Sequence, residues 1–379
     1  MAWKKGIDYP EFMNDVSLSV LSRGYLLPDE TPMDAYTRVS STIANRLSKP
    51  ELQALFYEAM IKGWLCLASP VLSNIGTDRG YGISCFGGTI GNSIGGIARS
   101  NAEMMMLSKK GGGVSLYYNN VSGRGTPIGN NGMSEGIVPW IKINDSSILA
   151  TSQGSIRRGA ATVGIDVYHT DLDEFLDIRR PKGDVNRQCL NINHFVTIDD
   201  EFMRRKEAGD PWCKKTWGKI LKTRSETGEP YLIFKDNINK ANPQAYINNN
   251  LLVETSNLCT EITLYTDELH SFVCCLSSLN LSKYLEWKDY RFSNGMSLPY
   301  LATFFLDGVL EDFIYNVELK IKTAQEEYDK VQKILKGTQY EVIDLVRSRV
   351  NEATRKLNDA KLLENTLRSA KKGRAIGLG

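Results

Sequence analysis

Asn257, Cys259 and Glu261 stand at alternate positions in the run Asn257-Leu258-Cys259-Thr260-Glu261-Ile262. Their side chains offer three different chemistries. An amide holds a hydroxyl without adding charge, a thiol does redox or nucleophilic work, and a carboxylate accepts a proton near neutral pH. On an extended segment alternate residues point to the same side. The spacing therefore predicts three side chains facing one spot. Taken alone, the triplet also reads as a turn or strand around an inert cysteine, because a thiol packs like a small hydrophobe.

Two further cysteine motifs flank this run in the sequence. Ser84-Cys85-Phe86 lies upstream and Phe272-Val273-Cys274-Cys275-Leu276-Ser277 downstream. The three motifs, in this order, resemble the catalytic large subunit of class I ribonucleotide reductase. The resemblance implies that Cys259 carries a transient thiyl radical that takes the 3′ hydrogen of a ribonucleotide. Glu261 would take the proton of the 3′ hydroxyl, and Asn257 would hydrogen-bond the substrate. Two electrons are needed, and a dithiol supplies them by closing to a disulfide. The resemblance assigns that role to Cys85 and Cys274. Cys275 falls where the family more often has another residue.

Other stretches carry the resemblance further. Leu67-Ala68-Ser69-Pro70-Val71 is similar to the segment in which a hydroxyl residue before proline contacts substrate phosphate, which puts Ser69 in that role. Ser84 and Gly112, in Lys109-Lys110-Gly111-Gly112-Gly113, are implied as further substrate contacts. Read by composition, these glycine-rich stretches are turns or close-approach backbones, and no Gly-Lys-Ser/Thr makes either a Walker loop. A specificity effector, a dNTP or ATP, is implied between a helix near residues 92–108 and the loop after Val114–Tyr118. Asn92 stands there where the family has an aspartate, and the loop 119–125 aligns only with a gap. Ser152-Gln153-Gly154-Ser155-Ile156-Arg157 resembles the loop that relays effector identity to the substrate site, with Gln153 and Arg157 as its carriers. A planar guanidinium and a donor–acceptor amide suit base recognition.

Composition bounds the class. The chain has 379 residues, 42% hydrophobic and 24% charged, with a net charge of +2. That balance fits a globular protein and gives no electrostatic footprint for nucleic acid. No apolar run reaches membrane-spanning length, and Met1-Ala2-Trp3-Lys4-Lys5-Gly6 lacks a signal-peptide core. Seven cysteines without a secretory signal point to a reducing, cytoplasmic setting. Cys66, Cys189 and Cys213, and the three histidines, show no metal-ligand spacing and read as structural; no metal site is expected in this chain.

The elements that would position these residues follow from periodicity and caps. Residues 1–65 read as a small helical domain, with helices opened at Pro10-Glu11, at Thr31-Pro32 and at a Ser48-Lys49-Pro50-Glu51 capping box. Strand and helix patterns then alternate through Gly164–Tyr168, Asn191–Ile198, Asp200–Ala208, Trp212–Ser225 and Tyr231–Phe234, which predicts an α/β architecture with parallel strands. The resemblance implies that residues 66–317, with the loop 257–262, form the first half of the ten-stranded α/β barrel of ribonucleotide reductases. Leu301–Val317 reads as an amphipathic helix. Residues 318–361 carry two apolar stripes, Ile321, Ala324, Tyr328, Val331, Leu335 and Val346, Val350, Ala353, Leu357, Ala360. They predict an inserted helical hairpin turning at Lys336-Gly337-Thr338.

Residues 362–379 would return to the barrel, where Arg374-Ala375-Ile376-Gly377-Leu378-Gly379 resembles a family stretch that runs on into the second half. The resemblance thus implies the N-terminal piece of a split or truncated large subunit, without a regulatory ATP cone. It would work with a C-terminal large-subunit fragment, a radical-generating small subunit that holds the metal or radical cofactor, and thioredoxin or glutaredoxin, as a homodimer of the assembled large subunit. No cofactor is expected on this chain itself, and no membrane or nucleic-acid partner. Three other readings stand beside it. One is a catalytically inactive nucleotide-binding regulatory subunit. A second is a cobalamin-dependent reductase of the same fold, whose loop more often reads Pro-Cys-Gly. The third is a hydrolase pairing Cys259 with His270.

Overall fold

The computed structural model describes residues 3–130, 132–151, 158–336 and 343–375. Eight strands are described: β1 (Leu65–Leu67), β2 (Cys85–Thr89), β3 (Gly113–Tyr117), β4 (Ala160–Asp166), β5 (Asn193–Ile198), β6 (Tyr231–Phe234), β7 (Phe272–Cys274) and β8 (Ser277–Leu279). The chain forms two compact units, one of residues 83–275 and one of residues 1–82 with 276–375.

The 83–275 unit is built on a six-stranded sheet in the order β6-β5-β4-β3-β2-β7. Strands β2 to β6 run parallel in sequence order, as the alternating pattern predicts. Parallel neighbours need long crossovers. Helices Ile94–Lys109, Val138–Thr151, Leu172–Phe175 and the pair Asp200–Glu207 and Pro211–Thr227 lie in these crossovers. Side chains of Ser93, Asp199 and Asp210 cap three of these helices, and Gly228, at φ +82°, closes the last. All five residues of β3 are buried, as expected of a strand covered on both faces.

One glycine shows how tightly the sheet is packed. Tyr117, Gly164 and Phe195 lie side by side on β3, β4 and β5. The rings of Tyr117 and Phe195 are parallel, with centroids 6.2 Å apart. A Cβ on Gly164 would sit 2.0 Å from the Phe195 ring. Strand β7 breaks the parallel pattern by pairing antiparallel with β2 at the sheet's outer edge. It is three residues long, too short for a period-2 signal, and the sequence reading holds no strand there.

The second unit is helical apart from the two-stranded β1–β8 sheet. Thr31 and Asp34 form a reciprocal capping box on helix Pro32–Arg46. The other two expected helix starts shift. Asn14 caps the first helix, Asp15–Ser22, four residues after Pro10. Ser48 takes a left-handed backbone (φ +54°), and Pro50–Leu52 is a 3-10 turn without a side-chain cap, leading into helix Gln53–Ile61. Phe56 meets Phe305 edge to face at 5.3 Å, and a Cβ on Gly308 would fall 2.4 Å from Ile43. Gly308 of helix Leu298–Lys336 thus seats the Ile43 side chain of helix Pro32–Arg46 against its backbone.

Leu298–Lys336 is one unbroken helix of 39 residues. The first arm of the expected hairpin is therefore an extension of the helix before it, not a separate element. The second arm is Ile343–Lys361, followed by Glu364–Ala375. Ala324, Leu357 and Ala360 pack together with Ile321 and Tyr328, so the two apolar stripes meet as their spacing implies. The unit boundaries fall at 82/83 and 275/276, rather than at 65 and 317. Residues of β1, of helix Ser69–Asn74 and of Leu298–Lys336 belong with the helical unit.

Candidate active site

Register brings together the two cysteines expected to act in redox. Cys85, the first residue of β2, is paired with Cys274, the last of β7. Residues directly opposite in an antiparallel pair hold their Cβ atoms about 4.5–5.5 Å apart. A disulfide needs about 3.5–4.5 Å, so a small adjustment would close one. Both are thiols in this structure, 2% and 7% exposed. Burial pushes the Cys274 thiol well above its ordinary range, and the neighbouring Cys85, Cys275, Glu261 and Cys259 raise it further.

Ser84 fixes the start of β2 on both sides. Its N–H donates to the Cys274 carbonyl at 2.9 Å, and its own carbonyl accepts from the Gly113 N–H at 2.9 Å. Gly112 and Gly113 then admit two large side chains. A Cβ on Gly112 would lie 2.4 Å from the Phe86 ring, and one on Gly113 would lie 2.8 Å from Leu258. The Gly112 N–H already donates to the Leu107 carbonyl, so a substrate contact through it would require that bond to open.

The 257–262 segment is a closed turn, not the extended run that alternation suggested. The Thr260 N–H donates to the Asn257 carbonyl at 3.1 Å, and Thr260 has φ +64°. The Asn257 Oδ1 accepts from the N–H groups of Glu261 (3.1 Å) and Ile262 (3.0 Å). Local side-chain-to-backbone bonds of this kind compete with strand geometry, and here they win. The three side chains consequently differ in burial. Asn257 is fully buried and donates from Nδ2 to the Cys85 sulfur at 3.5 Å, while Cys259 and Glu261 are exposed. The Asn257 amide ties the loop to Cys85, one of the two cysteines expected to act as the redox pair. Leu258, packed on Gly113, holds the same loop down against β3.

The remaining expected residues are placed as follows. Ser69 lies in the helical unit at the start of helix Ser69–Asn74, where its hydroxyl meets the Tyr25 hydroxyl at 3.0 Å. Asn92 precedes helix Ile94–Lys109. It donates to Ser122 Oγ (2.8 Å) and accepts from the Ser122 N–H (3.0 Å), which pins the loop after β3. Asp171 holds that loop from the other side, accepting from the N–H groups of Arg124 and Ile137. Gln153 and Arg157 lie outside the described residues. Cys189 and Cys213 are fully buried, and burial pushes the Cys189 thiol up to about 12. Cys66 is exposed on β1. His270 bonds Asp267 through Nδ1 at 2.8 Å. The sequence reading overlooked Ser256, Leu258 and Gly113; the Ser256-Asn257 pair was itself a signal, because both residues favour local backbone bonds.

The chain matches two family models, the ribonucleotide reductase all-alpha domain over residues 11–80 and the ribonucleotide reductase barrel domain over residues 83–216 and 212–379. It is 36% identical to a Frog virus 3 protein over 296 residues, 74% of this chain and 50% of the relative. With the ribonucleoside-diphosphate reductase large subunit of Invertebrate iridescent virus 3 it shares 30% over 379 residues, 82% and 58% of the two chains. A solved Actinobacillus ureae class Id ribonucleotide reductase alpha subunit superposes with a TM-score of 0.73 at 32% identity, covering 96% of this chain and 70% of that one. The chain spans about half the length of the curated relatives it matches. With both domain models matched in order, it belongs to the ribonucleotide reductase large-subunit family.

Proposed function

We propose that this chain carries the thiol chemistry of a ribonucleoside-diphosphate reductase. The observation that supports it is the cross-strand pairing of Cys85 with Cys274, with the Cys259 loop bonded to Cys85 through Asn257. Cys259, as a thiyl radical, takes the 3′ hydrogen of the bound ribonucleotide. Glu261 accepts the 3′ hydroxyl proton, and the 2′ hydroxyl leaves as water. Cys85 and Cys274 give two electrons and two protons and close to a disulfide, and Cys259 returns the hydrogen to C3′. The balance is one ribonucleoside diphosphate and one dithiol giving one deoxyribonucleoside diphosphate, one disulfide and one water. A radical-generating small subunit with its metal or radical cofactor supplies the hole on Cys259, and thioredoxin or glutaredoxin restores the dithiol. The remainder of the barrel comes from further polypeptide. Ser69, Ser84 and Gly112 are assigned to substrate, and Asn92, Gln153 and Arg157 to a dNTP or ATP effector, in a cytoplasmic dimer.

The test is CDP reduction by the complex isolated from the native source, with the disulfide mapped after one turnover. Turnover that leaves Cys85 joined to Cys274, and that disappears in Cys259→Ala, is expected. Nucleotide binding without turnover in the complete complex would overturn the proposal in favour of a regulatory subunit.

A further inference from the structure

Resting on that reading of Cys259, we propose that Ser256 is the positioning residue that sets the seating of the Cys259 loop. Ser256 is fully buried, and its hydroxyl donates to the Ile262 carbonyl at 2.6 Å. That bond joins the two stems of the loop, from the residue before Asn257 to the residue after Glu261. It is the shortest of the bonds that shape the loop; the hydroxyl's other neighbour, Asn257 Oδ1, is at 3.3 Å.

The loop needs such a clasp because its interior is strained. Thr260 is β-branched and held at φ +64°, a region that such residues avoid. Its hydroxyl is bonded to the Cys259 carbonyl at 2.7 Å. Leu258 packs on Gly113 and the Thr260 N–H bonds the Asn257 carbonyl, so the turn is anchored at 257–258 and the bonds between its stems set where residues 259–262 sit. Asn257 accepts two bonds at one oxygen, and Ser256, on the same stem, donates the third across the turn to Ile262. Remove the hydroxyl, and the Ile262 stem is left to Asn257 Oδ1 alone. Thr260 then relaxes toward negative φ and swings Cys259 and Glu261 together. Hydrogen transfer to a sulfur depends steeply on distance, and a displacement of about 1 Å costs on the order of a hundredfold in rate.

The experiment compares the wild-type complex with Ser256→Ala and Ser256→Thr, which keeps the hydroxyl. Ser256→Ala is expected to lower kcat at least tenfold with KM within twofold, to raise the 3′-deuterium isotope effect, and to speed amide exchange at Glu261 and Ile262. Amides of β3 and β4 should exchange as in wild type, showing an intact sheet. Ser256→Thr should recover most of kcat. Unchanged kcat, isotope effect and Glu261/Ile262 exchange in Ser256→Ala would overturn the proposal. If the wild-type complex itself fails to reduce CDP, the reading of Cys259 fails, while the exchange comparison still decides whether Ser256 seats the loop.

Discussion

Cys85 and Cys274 face each other directly across the antiparallel pairing of β2 and β7, 189 positions apart in sequence, at the start of one strand and the end of the other. Mild oxidation should therefore join these two and leave the buried Cys189 and Cys213 as thiols. Burial raises the Cys274 thiol, and the thiolate is the reacting form. The oxidation rate should accordingly climb steadily from pH 7 to pH 9. Peptide mapping under non-reducing conditions reads both outcomes, and a dominant Cys85–Cys275 product would contradict the register.

Glu261 is exposed, two residues from Cys259, and in the proposed function it takes the proton of the 3′ hydroxyl. A positioned general base contributes about 10²–10⁴-fold. Glu261→Gln should lower kcat of the complete complex by that order while leaving the melting temperature of the chain within a degree or two. Equal losses in kcat and stability would assign Glu261 a folding role instead.

Gly164 lies between the Tyr117 and Phe195 rings, and an added methyl would overlap the Phe195 ring. Overpacking a well-packed core typically costs about 1–3 kcal/mol. Gly164→Ala should lower the urea midpoint accordingly, with tryptophan fluorescence as the readout. A neutral effect would mean that the sheet relaxes more readily than its burial suggests.

His194 is fully buried, bonded through Nδ1 to Glu229 at 2.9 Å, with its Nε2 unpartnered. Burial lowers its pKa below the ordinary 6.5, against the opposing pull of Glu229. The folded state thus binds fewer protons than the unfolded chain. Its contribution to stability is full above pH 6.5 and is lost as pH falls below that value. Urea midpoints should drop between pH 7.5 and pH 5.5, and His194→Gln should flatten that slope.

Much of this protein was legible in order along the chain. Alternating strand and helix signals give the parallel β3–β6 sheet because each element satisfies its own hydrogen bonds locally or with its sequence neighbour. The cap at Thr31 and the apolar stripes of the hairpin are likewise local patterns. Cys85, Cys259 and Cys274 were recognisable by motif.

What only the tertiary structure decided was everything that depends on a distant partner. β7 is a strand because β2 offers it an edge, and three residues carry no period of their own. The alternation of Asn257, Cys259 and Glu261 promised one shared face, but the Asn257 amide found two backbone N–H groups and the Cys85 sulfur, and the segment closed into a turn. Side-chain types fix which bonds a residue is able to make. The fold decides which of them lie within reach, and that choice buried the asparagine and left the cysteine and glutamate exposed.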